Sequence, residues 1–321
     1  MGFHKAENDY ITVEGFEMDN KRMQGVVIAA ITPMNQDGSV DYQGVEAFAE
    51  YLAQSGVNCL YPNGTNGESL LLTKEEREKI AEIFVRVSRG RVPVFIQCGA
   101  MTTEEAASHA QHAVKIGADG IGVMTPAFFT MDEEGLFQYF SAVVAPLPAD
   151  FPVYIYNIPG CTGNDVSPAL LARLLKAFPN IKGIKFSKPD LMRLEDYMLA
   201  CERRPDLLIG CDSLFVPCLS IGGVGEVSGP GALFYERFTR MYKQYTDGDY
   251  EAAMATQRKI VETDRKLDGI PGIPALKTLL KLRGVIKCDA CRAPLRPLSE
   301  AEVKKLNDVW NEYCKEENNN G

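Results

Sequence analysis

One lysine of this sequence stands in a segment that would make it a nucleophile. The stretch IKGIKFS at 181–187 places Lys185 between the apolar residues Ile184 and Phe186. Side chains alternate between the faces of a strand, so Lys185 faces inward if its two neighbours pack against helices. Burial favours the uncharged amine, the form that attacks a carbonyl carbon to make a Schiff base. The alternative is a lysine whose aliphatic chain is buried while its ammonium group is in water, as we expect for the lysines nearby.

A tyrosine near the end of a second apolar segment is a candidate for proton transfer. In PVYIYNIPG at 152–160, Tyr154 and Tyr156 alternate with two aliphatic residues, so both tyrosines lie on one face of a strand. With the aliphatic residues directed at helices, Tyr156 points inward at the strand's end, where a phenol can pass protons. A buried tyrosine whose hydroxyl bonds the backbone is the alternative.

A turn with two glycines follows a third apolar segment, in the sequence PNGTNGES at 62–69. Gly64, Thr65, Asn66 and Gly67 can direct successive backbone N–H groups at one point. Together with the Thr65 hydroxyl, these groups could hold a carboxylate or a phosphate. The same residue types also make ordinary turns, so the sequence leaves both possibilities open.

Short apolar segments alternate with amphipathic helical stretches through most of the chain. Eight strands are predicted, at 26–31, 57–61, 92–97, 120–124, 152–156, 181–186, 207–210 and 223–228. Helices are predicted between them, for example at 73–89 and at 103–117, the latter ending at Gly117. Strands that alternate with helices pair in parallel, and no GxGxxG follows the first strand. The predicted fold class is therefore α/β, a (β/α)8 TIM barrel.

The barrel places the candidate residues at one end of the molecule. Active sites of such barrels lie at the carboxyl ends of the strands, where Thr65, Tyr156 and Lys185 are expected. Strand patterns stop after residue 232, and helical patterns follow. We therefore predict an N-terminal extension at 1–24, the barrel at 25–232, and a C-terminal helical region at 233–321.

Composition excludes several classes of protein. The chain has 321 residues, 45% of them hydrophobic, and a formal net charge of -9, so neither nucleic acid nor an anionic membrane is an expected partner. No apolar run reaches the ~18 residues of a membrane span, and the first residues lack the order of a secretory signal. Nine cysteines scattered through apolar segments indicate a reducing compartment, so the predicted location is cytoplasmic.

Metal and cofactor chemistry are not expected. His109 and His112 lie three residues apart on a predicted helix without a carboxylate to complete a ligand set, which favours a solvated helix face. Cys288 and Cys291 form a CxxC without a second pair or a nearby histidine, which favours ordinary thiols.

Taken together, the segments resemble the family of dihydrodipicolinate synthase and N-acetylneuraminate lyase, class I pyruvate-type aldolases built on a (β/α)8 barrel. The resemblance runs from about Gly25 to about residue 300, through GVVIAAITPMNQDGSVD, YPNGTNGESLLLT, HAVKIGADGIGVMTP, VYIYNIPGCTG, GIKFSKPDL and PALKTLLKLRG. It implies that Lys185 forms the Schiff base and that Tyr156 shuttles the proton and contacts the substrate carboxylate. Thr65 would support that relay, while Asn66 replaces the family's second hydroxyl residue and binds the carboxylate. The imine is itself the electron sink, so the resemblance implies no cofactor.

Departures from the family pattern bear on the substrate. Cys161 stands where the synthase has an arginine for a dicarboxylic substrate, which argues against that substrate. Phe128 stands where the family has a tyrosine that completes the relay with a neighbouring subunit. Asp212 retains half of the lyase's Asp-Glu pair for a sugar-acid tail, or else caps the next helix. Ser187 matches a hydroxyl residue of the lyase, which favours a hydroxylated substrate.

The predicted function is a Schiff-base class I aldolase or lyase that acts on a 2-oxo acid and an aldehyde, with a sugar-acid-like substrate as in N-acetylneuraminate lyase. A 2-keto-3-deoxy sugar acid dehydratase would use the same catalytic residues. The sequence is also compatible with dihydrodipicolinate synthase and with a non-catalytic 2-oxo acid binder. By analogy with the family, the predicted assembly is a homotetramer.

Overall fold

The computed structural model describes residues 22–318, which form a closed sheet of parallel strands surrounded by helices. The strands are β1 (Gly25–Ala29), β2 (Cys59–Tyr61), β3 (Phe95–Gln97), β4 (Gly120–Met124), β5 (Val153–Asn157), β6 (Ile181–Phe186), β7 (Asp206–Ile209) and β8 (Gly225–Ser228). Their order is β2-β1-β8-β7-β6-β5-β4-β3, and a parallel bridge between Leu60 and Val94 joins the two ends. The structure confirms the predicted (β/α)8 barrel, and each predicted strand overlaps an observed one.

Helices follow the strands and continue beyond β8. Within residues 22–318 the α-helices are α1 (Tyr42–Ala53), α2 (Lys74–Ser88), α3 (Thr103–Ile116), α4 (Glu133–Val144), α5 (Pro159–Thr162), α6 (Pro168–Ala177), α7 (Leu191–Ala200), α8 (Phe215–Ser220), α9 (Tyr235–Thr246), α10 (Tyr250–Leu267), α11 (Gly272–Leu282) and α12 (Glu300–Asn318). Short 3-10 helices lie at Ser69–Leu71, Asp212–Leu214 and Pro230–Ala232. None of the described helices is long and apolar enough to cross a bilayer.

Local signals in the sequence set the ends of α2 and α3. Thr73 and Glu76 form a capping box at the start of α2, in which each side chain accepts a hydrogen bond from the other residue's backbone N–H. Gly117 ends α3 in the left-handed conformation, at φ 76°. Both helices therefore confirm their predicted positions to within about two residues.

The barrel wall is apolar on both faces because each strand alternates. Ten buried residues form a cluster inside the barrel: Met23, Val27, Ala29, Cys59, Tyr61, Phe95, Tyr154, Leu208, Val224 and Val227. Their strand neighbours, such as Val26 and Ile28, belong to a larger cluster between the strands and the helices. In β6, Ile184 and Phe186 belong to that outer cluster, so Lys185 faces inward as the alternation predicts.

Helices α9 to α12 occupy the region predicted to be helical at 233–321, and α10 is joined to the barrel. Gln257 of α10 accepts a hydrogen bond from the Val216 N–H and donates one to the Asp212 carbonyl, each at 2.9 Å. Of the predicted extension at 1–24, only 22–24 lie within the described residues. There, the Met23 N–H donates to the Tyr154 hydroxyl inside the barrel, at 3.0 Å.

Candidate active site

Strand register brings Lys185 and Tyr156 side by side. The two residues are paired partners on β6 and β5, and paired residues of parallel strands direct their side chains to the same face. The register shifts by one residue near the start of these strands, where Val153 pairs with Ile181 but Tyr154 pairs with Gly183. Without this bulge, the inward Tyr156 would pair with an outward residue. The bulge therefore places the phenol next to the amine.

Lys185 lies between two aromatic rings inside the barrel mouth. Lys185 is only 4% exposed, so its amine lies inside the protein and does not extend into water. The Nζ atom lies 4.0 Å from the ring centroid of Tyr156 and 5.0 Å from that of Tyr61. Aromatic faces attract cations, so both rings stabilise a protonated nitrogen at this position, whether ammonium or iminium.

The Tyr156 hydroxyl meets the hydroxyl of Thr65. Their oxygen atoms are 3.1 Å apart, and either can donate the hydrogen bond. The partner of the buried phenol is therefore a side chain at the end of β2 and not the backbone. The structure brings together three residues from three strand ends, Lys185, Tyr156 and Thr65. The hydrogen-bonded hydroxyls of Tyr156 and Thr65 have the chemistry needed to pass a proton.

The turn at Gly64–Gly67 has amide groups available for an anion. Its internal hydrogen bonds run from the Gly67 N–H to the Gly64 carbonyl and from the Glu68 N–H to the Thr65 carbonyl, at 3.1 and 3.0 Å. Among the described residues, the N–H groups of Thr65 and Asn66 donate to no protein acceptor. Two unpaired N–H groups beside a hydroxyl are a suitable site for a carboxylate.

Ser187 directly follows β6, the strand that contains the lysine, and lies beside Gly210 at the end of β7. A Cβ atom on Gly210 would come within 2.0 Å of the Ser187 Oγ and within 3.3 Å of the Lys185 Cε. Only a glycine at this position leaves room for both side chains. Ser187 therefore borders the lysine, in agreement with its predicted place at the mouth.

Asp212 lies in a group of acids on the β7 and β8 side of the mouth. Its carboxyl lies near Glu226 and Ser228, and burial raises its pKa. It does not cap the following helix, because α8 begins after Leu214 without a side-chain cap, so the prediction of a helix cap is wrong. A contact between Asp212 and substrate stays a prediction.

Glu226 and Asp264 complete the acidic group. Burial, followed by the nearby charge of Asp212, raises the pKa of Glu226 well above its usual range. The same two causes raise the pKa of Asp264 to about 8. Neither Glu226 oxygen has a hydrogen-bond partner in the described part of the chain, so no donor offsets the burial and the nearby Asp212 charge that raise its pKa.

A cavity of about 280 Å³ opens beside the turn. Asn66 and Asp264 both line it, together with the loop between α10 and α11. Apolar side chains from the start of α9 and from α11 make up most of the remaining lining, and no lysine or arginine from residues 22–318 lines it. The cavity therefore suits an uncharged group that can donate hydrogen bonds.

Sequence reasoning missed Tyr61, Glu226 and Asp264. Tyr61 immediately precedes the glycine turn and shares its strand face with Cys59, so the alternation in β2 could have identified it. A charged residue within the apolar segment GVGEVS was a signal for Glu226. Asp264 lies in a helix and is near the mouth only because α10 folds back over it, so no local pattern marks it.

The histidine prediction is wrong in part. His109 is buried and not on a solvated face, and burial lowers its pKa to about 3, which leaves the imidazole neutral. His112 lies on the same helix with its Nε2 3.5 Å from Glu82. No group of three or more His, Cys, Asp or Glu within residues 22–318 is arranged to hold a metal ion.

Phe128 and Cys161 lie together at the edge of the mouth. Phe128 is 82% exposed, Phe129 is 70% exposed, and their rings meet edge to face at 5.0 Å. Cys161 is exposed on α5, and the Phe128 N–H donates to the neighbouring Thr162 carbonyl at 3.2 Å. The structure thus presents an apolar pair where the family pattern has its tyrosine.

Comparison with known proteins agrees with this geometry. The model of the dihydrodipicolinate synthetase family matches residues 22–312. A 4-hydroxy-tetrahydrodipicolinate synthase of Nitratidesulfovibrio vulgaris is 31% identical over 90% of this chain and 97% of its own length. An uncharacterized DapA-like lyase of Halobacterium salinarum is 35% identical over 88% of this chain and 92% of its own length.

Solved structures show the same fold. The dihydrodipicolinate synthase of Aquifex aeolicus has a TM-score of 0.86 at 29% identity, over 91% of this chain and 98% of its own. YagE of E. coli K12, a prophage protein of the dihydrodipicolinic acid synthase family solved in complex with pyruvate, has a TM-score of 0.85 at 28% identity, over 90% and 98%. The chain belongs to the dihydrodipicolinate synthetase family. It is a carbon–carbon lyase of the aldolase type, a class that works through a lysine Schiff base.

Proposed function

We propose that Lys185 forms the Schiff base with the carbonyl carbon of pyruvate or a related 2-oxo acid. The observation that carries this proposal is the contact of Lys185 with Tyr156, whose hydroxyl bonds Thr65 beside two free backbone N–H groups. A 2-oxo acid has its carbonyl carbon next to its carboxylate. With the carboxylate on the Thr65 and Asn66 amides, the carbonyl carbon is directed at the amine.

The reaction then follows from the groups present. The free amine adds to the ketone and water leaves, which gives a protonated imine. A hydroxyl on the second carbon beyond the imine carbon loses its proton as the carbon–carbon bond breaks, and the electron pair moves into the imine. An aldehyde departs, the resulting enamine takes up a proton, and water releases the 2-oxo acid. Tyr156 and Thr65 supply and accept these protons through their shared hydrogen bond.

The substrate class we favour is a hydroxylated, sugar-acid-like compound, as in N-acetylneuraminate lyase. Ser187 and Asn66 offer hydrogen bonds, Asp264 lines the adjacent cavity, and neither lysine nor arginine from the described residues lines it. Hydroxyl groups donate well to carboxyl oxygens, whereas a second substrate carboxylate would lack a cation there. The synthase reaction is the second candidate, because several relatives bear that name.

The experiment is intact mass spectrometry after incubation with pyruvate and borohydride. Wild type should gain the mass of one reduced pyruvyl group, and Lys185→Ala should gain none. Lys182→Ala, on the same strand but bonded to the Pro179 carbonyl at the surface, is the matched control and should behave as wild type. An adduct that persists in Lys185→Ala would exclude Lys185 as the imine residue, and its absence from wild type would exclude pyruvate. A screen of sugar acids for pyruvate release then separates lyase from dehydratase.

We also propose a homotetramer in which Phe128 and Phe129 lie between subunits. Two adjacent, strongly exposed phenylalanines are unusual on a monomer surface, and Phe128 has φ 76°, which is strained for a residue with a side chain. Sedimentation should give four chains for wild type and a smaller species for a Phe128→Ser/Phe129→Ser variant. A monomer mass for wild type would contradict the proposal.

The cytoplasm is the location we propose. All nine cysteines are free thiols, although several are exposed or half-buried. Such a set is typical of a reducing compartment. Fractionation with a tagged full chain is the measurement, and recovery outside the cytoplasmic fraction would contradict it.

A further inference from the structure

A fully buried ion pair joins the glycine turn to the C-terminal helical region. Glu68 follows the turn directly, and its carboxylate meets the ammonium of Lys277 on α11, with both side chains 0% exposed. The other carboxylate oxygen accepts a hydrogen bond from the Arg292 N–H at 2.8 Å. Lys277 donates in turn to the Ala290 carbonyl at 2.8 Å. Two charges that are far apart in the sequence therefore share one site under the turn.

The backbone of Glu68 depends on these contacts. Its φ is 58°, in the left-handed region that residues with side chains seldom adopt. Such a conformation persists only where surrounding contacts enforce it. The Glu68 N–H closes the turn by donating to the Thr65 carbonyl at 3.0 Å, so the conformation of Glu68 fixes the orientation of Thr65.

The Arg292 side chain forms further hydrogen bonds to the same region. Its guanidinium donates to the Gly38 and Leu71 carbonyls and to both carboxylate oxygens of Glu76, at 2.6 to 3.1 Å. The chain on both sides of Arg292 is thereby held against the loop after β1 and the start of α2. Glu68 and Lys277 lie beneath this contact, and neither side chain reaches solvent.

The charges of the pair require an explanation beyond packing. Apolar residues of similar size often replace a buried ion pair without loss of stability, whereas a single unpaired buried charge is strongly unfavourable. A carboxylate just below the amides of Thr65 and Asn66 would also repel a bound anion. Lys277 removes that repulsion because its ammonium meets the Glu68 carboxylate directly.

We propose that Glu68 and Lys277 are positioning residues for the anion-binding turn. Glu68 holds the turn in the conformation that exposes the Thr65 and Asn66 amides, and Lys277 fixes and neutralises Glu68. The C-terminal helical region thus takes part in substrate binding without touching the substrate. Only the identity of the anion, pyruvate, rests on the function proposed above.

Two measurements on the full-length chain test this. The first is amide hydrogen exchange of peptides that cover the turn, without ligand. The second is the pyruvate concentration that gives half-maximal borohydride trapping. The variants are Lys277→Met, Glu68→Gln and the control Lys281→Met, which removes a half-exposed lysine one turn further along α11 that pairs with Asp289.

Lys277→Met should speed exchange in the turn and raise half-saturating pyruvate by about tenfold or more, with the trapping rate at saturation changed by less than about threefold. Glu68→Gln should also speed exchange, but it should raise half-saturating pyruvate less, because only Lys277→Met leaves a buried carboxylate below the amides. Lys281→Met should match wild type in both measurements. If Lys277→Met does not fold, Glu68→Gln and Lys281→Met carry the exchange comparison alone.

Unchanged exchange in both buried variants would overturn the proposal, as would equal effects of Lys277→Met and Lys281→Met. A higher half-saturating pyruvate in Glu68→Gln than in Lys277→Met would overturn the charge argument. If wild type traps no pyruvate, the proposed function fails on its own. The exchange measurement still decides whether the pair positions the turn.

Discussion

The two sides of the barrel mouth differ in the ionisable groups that they contain and in the surroundings of those groups. On the side of β2, β5 and β6, the Lys185 side chain lies among hydroxyls and aromatic rings, and no salt bridge to it is found among residues 22–318. On the side of β7, β8 and α10, three acids lie together, and burial raises the pKa of each one.

The difference shows how one pocket can contain a nucleophilic amine and several carboxyls. A direct carboxylate partner would favour the ammonium form of Lys185 and so oppose its attack on a carbonyl. Carboxyls that retain their protons are instead neutral groups able to donate and accept hydrogen bonds. Clustering the acids raises their pKa values and so favours the protonated form, which can bind hydroxyls.

The largest expected effect is a difference in the rate of adduct formation between variants of the two tyrosines that face Lys185. Tyr156→Phe removes the hydroxyl that bonds Thr65 and should lower the rate of pyruvate adduct formation by about 100-fold. Tyr61→Phe is the matched control. The Tyr61 hydroxyl has no hydrogen-bond partner in the described structure, so its loss should change the rate by less than about twofold. Equal losses in the two variants would show that ring packing, and not the hydroxyl relay, supports the lysine.

A smaller effect is expected from crowding the boundary between the two sides. Gly210→Ala places a methyl group against the Ser187 hydroxyl and close to the Lys185 side chain, so adduct formation should slow by about tenfold. Ser187→Ala in the same chain should restore most of the rate. Gly160→Ala, where a methyl group meets no neighbouring atom, should have no effect. Failure of the double variant to recover would show that Lys185 itself is displaced.

The smallest effect concerns stability on the acidic side. A carboxyl with a raised pKa in the folded state binds its proton more tightly when folded. Its contribution is fully present below the unfolded value and is lost as the pH rises through about 8 for Asp264. When the pH rises from 6 to 9, the melting temperature of Asp264→Asn should therefore fall by roughly 3 °C less than that of wild type.

Calorimetry or a dye-based melting curve at several pH values provides this measurement. Asp308→Asn, at an exposed position of α12, is the control and should follow the wild-type curve. Parallel curves for wild type and Asp264→Asn would mean that Asp264 is ionised throughout this range. The acidic side would then not differ from the lysine side in the way described above.

Much of the fold and part of the candidate site could be predicted from the sequence. The eight strands, the capped helices and the inward direction of Lys185 depend on periodicity and short-range signals, which a single sequence displays. The burial of His109 and the pairing of Glu68 with Lys277 depend on residues distant in the chain. No local pattern contains that information, which is why the first was predicted wrongly and the second was not predicted.

The sequence by itself determined which residue types stand at the strand ends, because alternation within a strand and the order of strands are properties of the chain. Only the tertiary structure decided the one-residue bulge between β5 and β6, which pairs Tyr156 with Lys185. Register depends on how the whole barrel closes, and a shift of one residue would direct one of the two side chains to the opposite face. The raised pKa values of the acids were also decided there, since a carboxyl's pKa depends on the burial and charges that folding brings around it.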